Sequence, residues 1–129
     1  MTIDLWYLAA TVAMAWLLIM VAATPGILRN GLGWALGSRE VTPEATGFEG
    51  RSKRLAANMS ENLPLFASLV LVAHVSGSAG SQSALGVQIF FFARVAHALC
   101  YLIGIPGLRT ASWAVSVAGM AVIGASLFG

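Results

Sequence analysis

The chain has 129 residues, of which 58% are hydrophobic and only 9% charged, and its mean hydropathy is +0.83. Soluble domains carry about 25% charged residues, so seven basic and five acidic side chains are too few to cover the surface of a water-soluble fold. A membrane-spanning helix needs roughly 20 apolar residues, and the chain has room for four such helices and one loop. Because the apolar runs are continuous rather than alternating, a transmembrane β-barrel is excluded. Composition therefore predicts an all-α integral membrane protein, a four-helix bundle.

The first predicted helix covers residues 5–23, which carry no charge. The sequence Thr24-Pro25-Gly26 predicts its end, and a long loop follows over about residues 25–50. The segment lacks the basic start of a signal peptide, so we interpret it as a helix that stays in the protein. Pro64 is predicted to kink the second helix. The remaining helices are predicted at about 51–76, 84–103 and 111–128.

The basic residues predict the orientation of the chain. Five of the seven lie in or beside the long loop, and Arg109 lies in the connection before the last helix, whereas the turn between the second and third helices has none. By the positive-inside rule the long loop is cytoplasmic, and both termini are then non-cytoplasmic. The net charge of +2 gives no reason to expect a nucleic-acid partner.

A stripe of alanines follows one face of the last predicted helix. Such small residues allow close approach of helices in lipid. The stripe fits packing within the helix's own bundle and an interface between subunits equally well. Its members are Ala111, Ala114, Ala118, Ala121 and Ala125.

Two helices carry stripes of polar side chains at steps of three and four residues, which place each stripe on one helix face. Ionisable groups inside a membrane cost about 2.5 to 3.5 kcal/mol each at a helix centre, so they indicate a function. The stripe of the second helix comprises Arg51, Arg54, Asn58 and Glu61, and that of the third comprises Arg94, His97 and Tyr101.

The depths of the two stripes match if the helices run antiparallel. By the helical rise, Glu61 and Arg94 each lie roughly 15 Å from the cytoplasmic end. We therefore predict that they face a common cavity, either within one chain or across a subunit boundary. The alternative is a buried ion pair that only fixes helix packing.

The polar set of these helices, together with Arg109, offers four guanidiniums and one carboxylate. Arginine binds carboxylates and phosphates through paired hydrogen bonds, and Glu61 could hold an amine. A γ-glutamyl tripeptide thiol fits these charges, as do other carboxylate or phosphate ligands. No metal site is predicted, because zinc-ligand spacings are missing and His74 and His97 lie roughly 20 Å apart along the helix axes, too far to share one haem.

Two sequence blocks resemble those of a known family, the membrane-associated proteins in eicosanoid and glutathione metabolism (MAPEG). The first block resembles R-x-x-R-x-x-x-N-x-x-E-x-x-P-x-F and begins at Arg51; the second resembles R-x-x-H/Y-x-x-x-Y and begins at Arg94. The resemblance covers about residues 48–121. Ala56 and Trp113 depart from some members of the family, so no particular eicosanoid synthase is implied.

The resemblance implies a homotrimer of four-helix protomers that binds glutathione between neighbouring subunits near the cytoplasmic face. Arg109 would match an arginine that stabilises the glutathione thiolate, and Thr110 stands where some members have a helping serine. Arg29 would hold a glutathione carboxylate. The remaining residues implied to bind glutathione are Arg51, Arg54, Asn58, Glu61, Arg94, His97 and Tyr101.

The leading hypothesis is a glutathione-dependent membrane enzyme, a transferase or peroxidase, whose lipophilic substrate arrives from the bilayer. A non-catalytic member that binds lipid or a partner protein is the alternative. A small transporter that uses Glu61 is a third possibility, although the neighbouring arginines argue against a cation pathway.

Overall fold

The computed structural model describes residues 1–129 and contains five helices and no strand. Four of them are long and apolar enough to cross a membrane, as the sequence predicts, and the fifth is a short helix within the loop. In chain order the helices are α1 (Ile3–Asn30), α2 (Leu32–Leu36), α3 (Gly47–Val75), α4 (Ser81–Ile103) and α5 (Pro106–Ser126).

Helix α1 does not end at the Thr24-Pro25-Gly26 sequence, and this corrects the predicted boundary. It continues through Pro25 to Asn30 and ends at Gly31, whose φ of 87° takes the backbone out of the helix. The N–H of Gly31 donates to the carbonyl of Ile27 at 2.8 Å. Membrane helices tolerate an internal proline because neighbouring groups compensate for the missing N–H. The loop is therefore shorter than predicted.

Helix α5 also differs from its predicted bounds, because it begins at Pro106 instead of residue 111. Proline is favourable at the first position of a helix, where its missing N–H would have no partner in any case. Arg109 consequently lies in the first turn of α5, where its backbone N–H donates to the carbonyl of Ile105 at 3.1 Å. The sequence had placed it in the connection.

The most extensive packing is between α4 and α5, and α3 packs against both α1 and α4. The side chain of Arg51, in the first turns of α3, donates through Nε to the carbonyl of Leu102 near the end of α4 at 3.2 Å, so these helices run antiparallel. We call the end that holds the start of α3 and the start of α5 the loop end. The end that holds the start of α1 and the start of α4 is the opposite end.

A core of seven buried apolar residues joins α3, α4 and α5. At its centre the rings of Phe66 and Phe90 stack with centroids 4.0 Å apart and planes within 7°. Lipid tails are as apolar as these side chains, so close packing, rather than removal of apolar area from water, stabilises the contact. The members of the core are Phe66, Val70, Ala73, Val87, Phe90, Met120 and Ile123.

Two glycines allow α4 and α5 to approach closely. A Cβ on Gly86 would lie 2.8 Å from the carbonyl oxygen of Gly119, and a Cβ on Gly119 would lie 2.8 Å from the backbone nitrogen of Phe90. The face of α5 that packs within its own chain is therefore the glycine face. All five alanines of the predicted stripe are exposed. The structure therefore does not support packing of this stripe against the other helices of the same chain.

Candidate functional site

A cavity of about 260 Å³ lies near the loop end, where α3, α4 and α5 meet. Five of its six lining residues belong to the set predicted from the sequence. The sixth, Trp113, was not predicted as part of the site, although its position four residues after Arg109 places it on the same face of α5. The lining residues are Asn58, His97, Tyr101, Arg109, Thr110 and Trp113.

Two aromatic contacts position the side chains around this cavity. The guanidinium carbon of Arg109 lies 4.8 Å from the centroid of the Tyr101 ring, a cation–π contact. The same tyrosine ring and the His97 ring make a T-shaped contact, with centroids 5.4 Å apart and planes at 68°. Since Arg109 also lies in the first turn of α5, the positive end of the helix dipole adds to its charge. The cavity is thus an electropositive site.

The hydroxyl of Thr110 lines the cavity but is already used within its own helix. Its Oγ1 donates to the carbonyl of Pro106 at 3.1 Å. In this rotamer the hydroxyl oxygen can only accept a further hydrogen bond. A role as a donor to a bound anion requires rotation about χ1.

Arg94 is completely buried and its charge is not neutralised within the chain. Its Nη2 donates to Oδ1 of Asn58 at 2.7 Å, while its Nε and Nη1 have no hydrogen-bond partner. The only carboxylate that takes part in ion pairs in this chain is that of Glu49, which lies elsewhere. Nδ1 of the buried His97 also has no partner. A buried guanidinium with two free nitrogens is suited to bind an anion.

Within one chain the structure does not bring Glu61 to Arg94. Glu61 is exposed and makes no ion pair, and the side chain of Arg94 bonds Asn58 instead. The depths of the two helices agree with the prediction, since Asn58 and His97 line the same cavity and Phe66 stacks on Phe90. What differs is that Glu61 points away from Arg94. A common cavity of Glu61 and Arg94 across a subunit boundary stays a prediction.

The two arginines at the start of α3 lie outside the cavity lining. Arg51 is half-buried and bonds the carbonyl of Leu102, which ties α3 to the end of α4. Arg54 is exposed and makes no ion pair. Together with Glu61, it leaves charged groups on the outer surface of a membrane-spanning helix.

Arg29 also lies outside the cavity, because it pairs with a carboxylate that the sequence did not identify. Its Nη2 lies 3.3 Å from Oε1 of Glu49, and Nζ of Lys53 approaches the same oxygen to 3.3 Å. Glu49 is only 5% exposed. It joins the end of α1 to the start of α3, and nothing in its sequence context distinguishes it from the other loop acids.

Comparison with known families agrees with these observations. The sequence model of the MAPEG family matches residues 7–129, which is nearly the whole chain. A comparison with curated proteins finds no match.

Proposed function

The chain belongs to the MAPEG family of membrane proteins in eicosanoid and glutathione metabolism, and on this premise we propose that it is a glutathione-dependent membrane enzyme. It conjugates or reduces lipophilic electrophiles or hydroperoxides. The observation that carries the proposal is the buried Arg94, which has two unpartnered nitrogens. Although it is not itself a lining residue, it bonds Asn58, which lines the electropositive cavity together with Arg109.

The residues present fit glutathione, which has two carboxylates, one ammonium and a thiol. A carboxylate bound to Arg94 neutralises the buried guanidinium and satisfies its free N–H groups. The cavity of about 260 Å³ is smaller than typical ligand pockets, which span about 300 to 1,000 Å³. It therefore takes one end of the tripeptide, and the rest extends toward Arg51, Arg54 and Glu61.

This arrangement is completed by a neighbouring copy in a homotrimer. Glu61 lies near the middle of α3 and is exposed; an acid facing lipid at that depth is costly. A second protomer that covers this face removes Glu61 and Arg54 from lipid and encloses glutathione between subunits. The clustering of basic residues at the loop end favours a cytoplasmic loop and non-cytoplasmic termini.

Arg109 and the first turn of α5 supply the electrostatics for the chemistry. Both place positive charge where the glutathione sulfur is to be held as a thiolate, which lowers the free energy of the nucleophile without rearrangement of the site. In conjugation, the sulfur forms a bond to an electrophilic carbon and the leaving group departs with its electron pair. Thr110 adds a hydrogen bond only if its hydroxyl turns away from Pro106.

The hydrophobic substrate reaches the sulfur from the bilayer. Trp113 lines the cavity and is also 40% exposed on the surface of the bundle. It thus connects the polar site to the lipid. An apolar substrate that lies against Trp113 is close to Arg109, one helical turn away.

Two measurements on the purified protein test the proposal. Calorimetry should show glutathione binding at millimolar or lower concentration, and turnover of an aryl halide or a lipid hydroperoxide should exceed that of Arg109→Ala. The matched control is Arg39→Ala, which removes an exposed loop arginine and should leave turnover unchanged. Absence of binding contradicts the whole proposal. Binding with turnover equal to that of Arg109→Ala supports the non-catalytic alternative.

A further inference from the structure

A second buried ionisable group lies at the opposite end of the bundle. Asp4 is the only aspartate of the chain and lies in the first turn of α1. It is 2% exposed, and its Oδ2 has no hydrogen-bond partner. Asp4 lines a cavity of about 260 Å³ between the starts of α1 and α4, whose other lining residues are Thr2, Ile3, Ala79, Gly80, Ser81 and Ala84.

No basic side chain of the chain neutralises this carboxylate. Asp4 makes no ion pair, and the lysine and six arginines lie in residues 29–54 or at positions 94 and 109. Arg94 is the basic residue nearest to the start of α4 along that helix, and it lies about 20 Å further in by the helical rise. The dipole of α1 stabilises the charge only in part. A buried carboxylate in this position attracts a cation.

The start of α4 offers the complementary group. Gly80 has no side chain to cap the helix, and the Ser83 hydroxyl is turned back to Gly80, whose N–H donates to it at 2.8 Å. The first N–H groups of a helix have no partner within the helix and bind phosphate well. The cavity thus places a carboxylate beside free backbone donors, an arrangement suited to a ligand with an ammonium and a phosphate.

The position of the cavity indicates the source of this ligand. Trp6 lies two residues after Asp4 and is 63% exposed, as is typical of tryptophans at the membrane interface. The cavity lies at the starts of α1 and α4, two helices long and apolar enough to cross a membrane, and this places it at headgroup level. Ile3 and Ala84 give it apolar walls.

We propose that this cavity binds the headgroup of an ethanolamine phospholipid from the leaflet at the opposite end. Asp4 accepts hydrogen bonds from the ammonium, and the backbone N–H groups at the start of α4 bind the phosphate. The site does not depend on the proposed glutathione chemistry, because it lies at the other end of the bundle.

Titration of the purified protein with short-chain phosphatidylethanolamine tests the proposal. Asp4→Asn should weaken binding by about tenfold or more, because it removes the charge that attracts the ammonium. Glu44→Gln, which changes an exposed loop acid, is the matched control and should bind as the wild type does. Equal affinity of the wild type for phosphatidylglycerol overturns the proposal, as does an Asp4→Asn affinity within twofold of wild type.

Two further binding measurements test whether the ligand is a lipid and whether it occupies this cavity. Free ethanolamine should bind much more weakly than the lipid, and equal affinity would overturn the assignment to a lipid. Ala84→Leu fills the cavity without changing any charge, and it should also weaken lipid binding. This variant therefore tests the proposal if Asp4→Asn fails to fold. Both variants should retain the glutathione affinity of the wild type, which separates failure of this proposal from failure of the glutathione site.

Discussion

The guanidinium of Arg94 on α4 donates a hydrogen bond to the side-chain amide of Asn58 on α3, with 2.7 Å between Nη2 and Oδ1. The amide orients the guanidinium but, being neutral, leaves its positive charge uncompensated. Two further nitrogens of Arg94 remain free. The pair therefore holds a buried cation ready for an anionic ligand.

Asn58→Asp places a carboxylate where the amide now accepts this hydrogen bond. We expect the thermal midpoint of the protein without ligand to rise, because charge-assisted hydrogen bonds are roughly twice as strong as neutral ones. The affinity for glutathione should fall by about tenfold or more, since the new carboxylate occupies Arg94. Thermal unfolding in detergent and calorimetry with glutathione measure the two effects.

Asn58→Leu is the control for this prediction. It leaves the buried guanidinium of Arg94 without any partner and should destabilise the fold by about 1 to 3 kcal/mol. The two variants thus change stability in opposite directions while both weaken glutathione binding. Wild-type glutathione affinity in both would show that Arg94 does not anchor the ligand.

Tyr101 is expected to position Arg109 through its ring. Tyr101→Phe keeps the aromatic face, so turnover should stay close to that of wild type and above that of Tyr101→Leu. Tyr101→Leu removes a cation–π contact worth about 0.5 to 2 kcal/mol and should lower turnover by about twofold to thirtyfold. Steady-state kinetics with an aryl halide distinguish the two variants. If Tyr101→Phe loses as much activity as Tyr101→Leu, the hydroxyl and not the ring is the functional group.

The close approach of α4 and α5 predicts an asymmetric response to the same substitution at two glycines of α5. Gly119→Ala forces a Cβ to within 2.8 Å of the Phe90 backbone nitrogen and should destabilise the protein by about 1 to 3 kcal/mol. A Cβ on Gly124 meets only the Leu69 side chain, at 3.9 Å. Gly124→Ala should therefore be neutral or stabilising, because alanine favours helix. Equal thermal midpoints for the two variants would contradict the observed packing.

Much of the bundle could be predicted from the sequence because long apolar runs and charge placement are strong signals in membrane proteins. The four long helices and most of the cavity lining follow from these signals and from the two sequence blocks. The boundaries at Pro25 and Pro106 did not follow. Pro25 lies inside α1 without ending it, whereas Pro106 begins α5. The residues around each proline do not distinguish these two cases.

The relative depths of α3 and α4 could be predicted from the helical rise, and the shared cavity of Asn58 and His97 agrees with them. The sequence did not show that Arg94 would bond Asn58 while Glu61 lies on the exposed side of α3. The close approach of Gly86 on α4 to Gly119 on α5 could not be predicted either, because the sequence does not show which faces of the two helices pack together. Glu49 is buried by tertiary contacts with α1, and its position in a loop sequence gave no sign of this.

The ion pair of Arg29 and Glu49 predicts that Arg29 acts on the fold rather than on glutathione directly. Glu49 is buried and touches both Arg29 and Lys53, so Glu49→Gln leaves two cations without their acid. It should lower the thermal midpoint more than Arg29→Gln, which leaves Lys53 in place. Because both cations are partly exposed, each substitution should lower the free energy of unfolding by no more than roughly 1 kcal/mol.

A double-mutant cycle of unfolding measurements should show coupling between Arg29 and Glu49. Calorimetry of Arg29→Gln should show glutathione affinity close to wild type. Loss of glutathione affinity without loss of stability would instead assign Arg29 to the glutathione carboxylate, as the family resemblance implies.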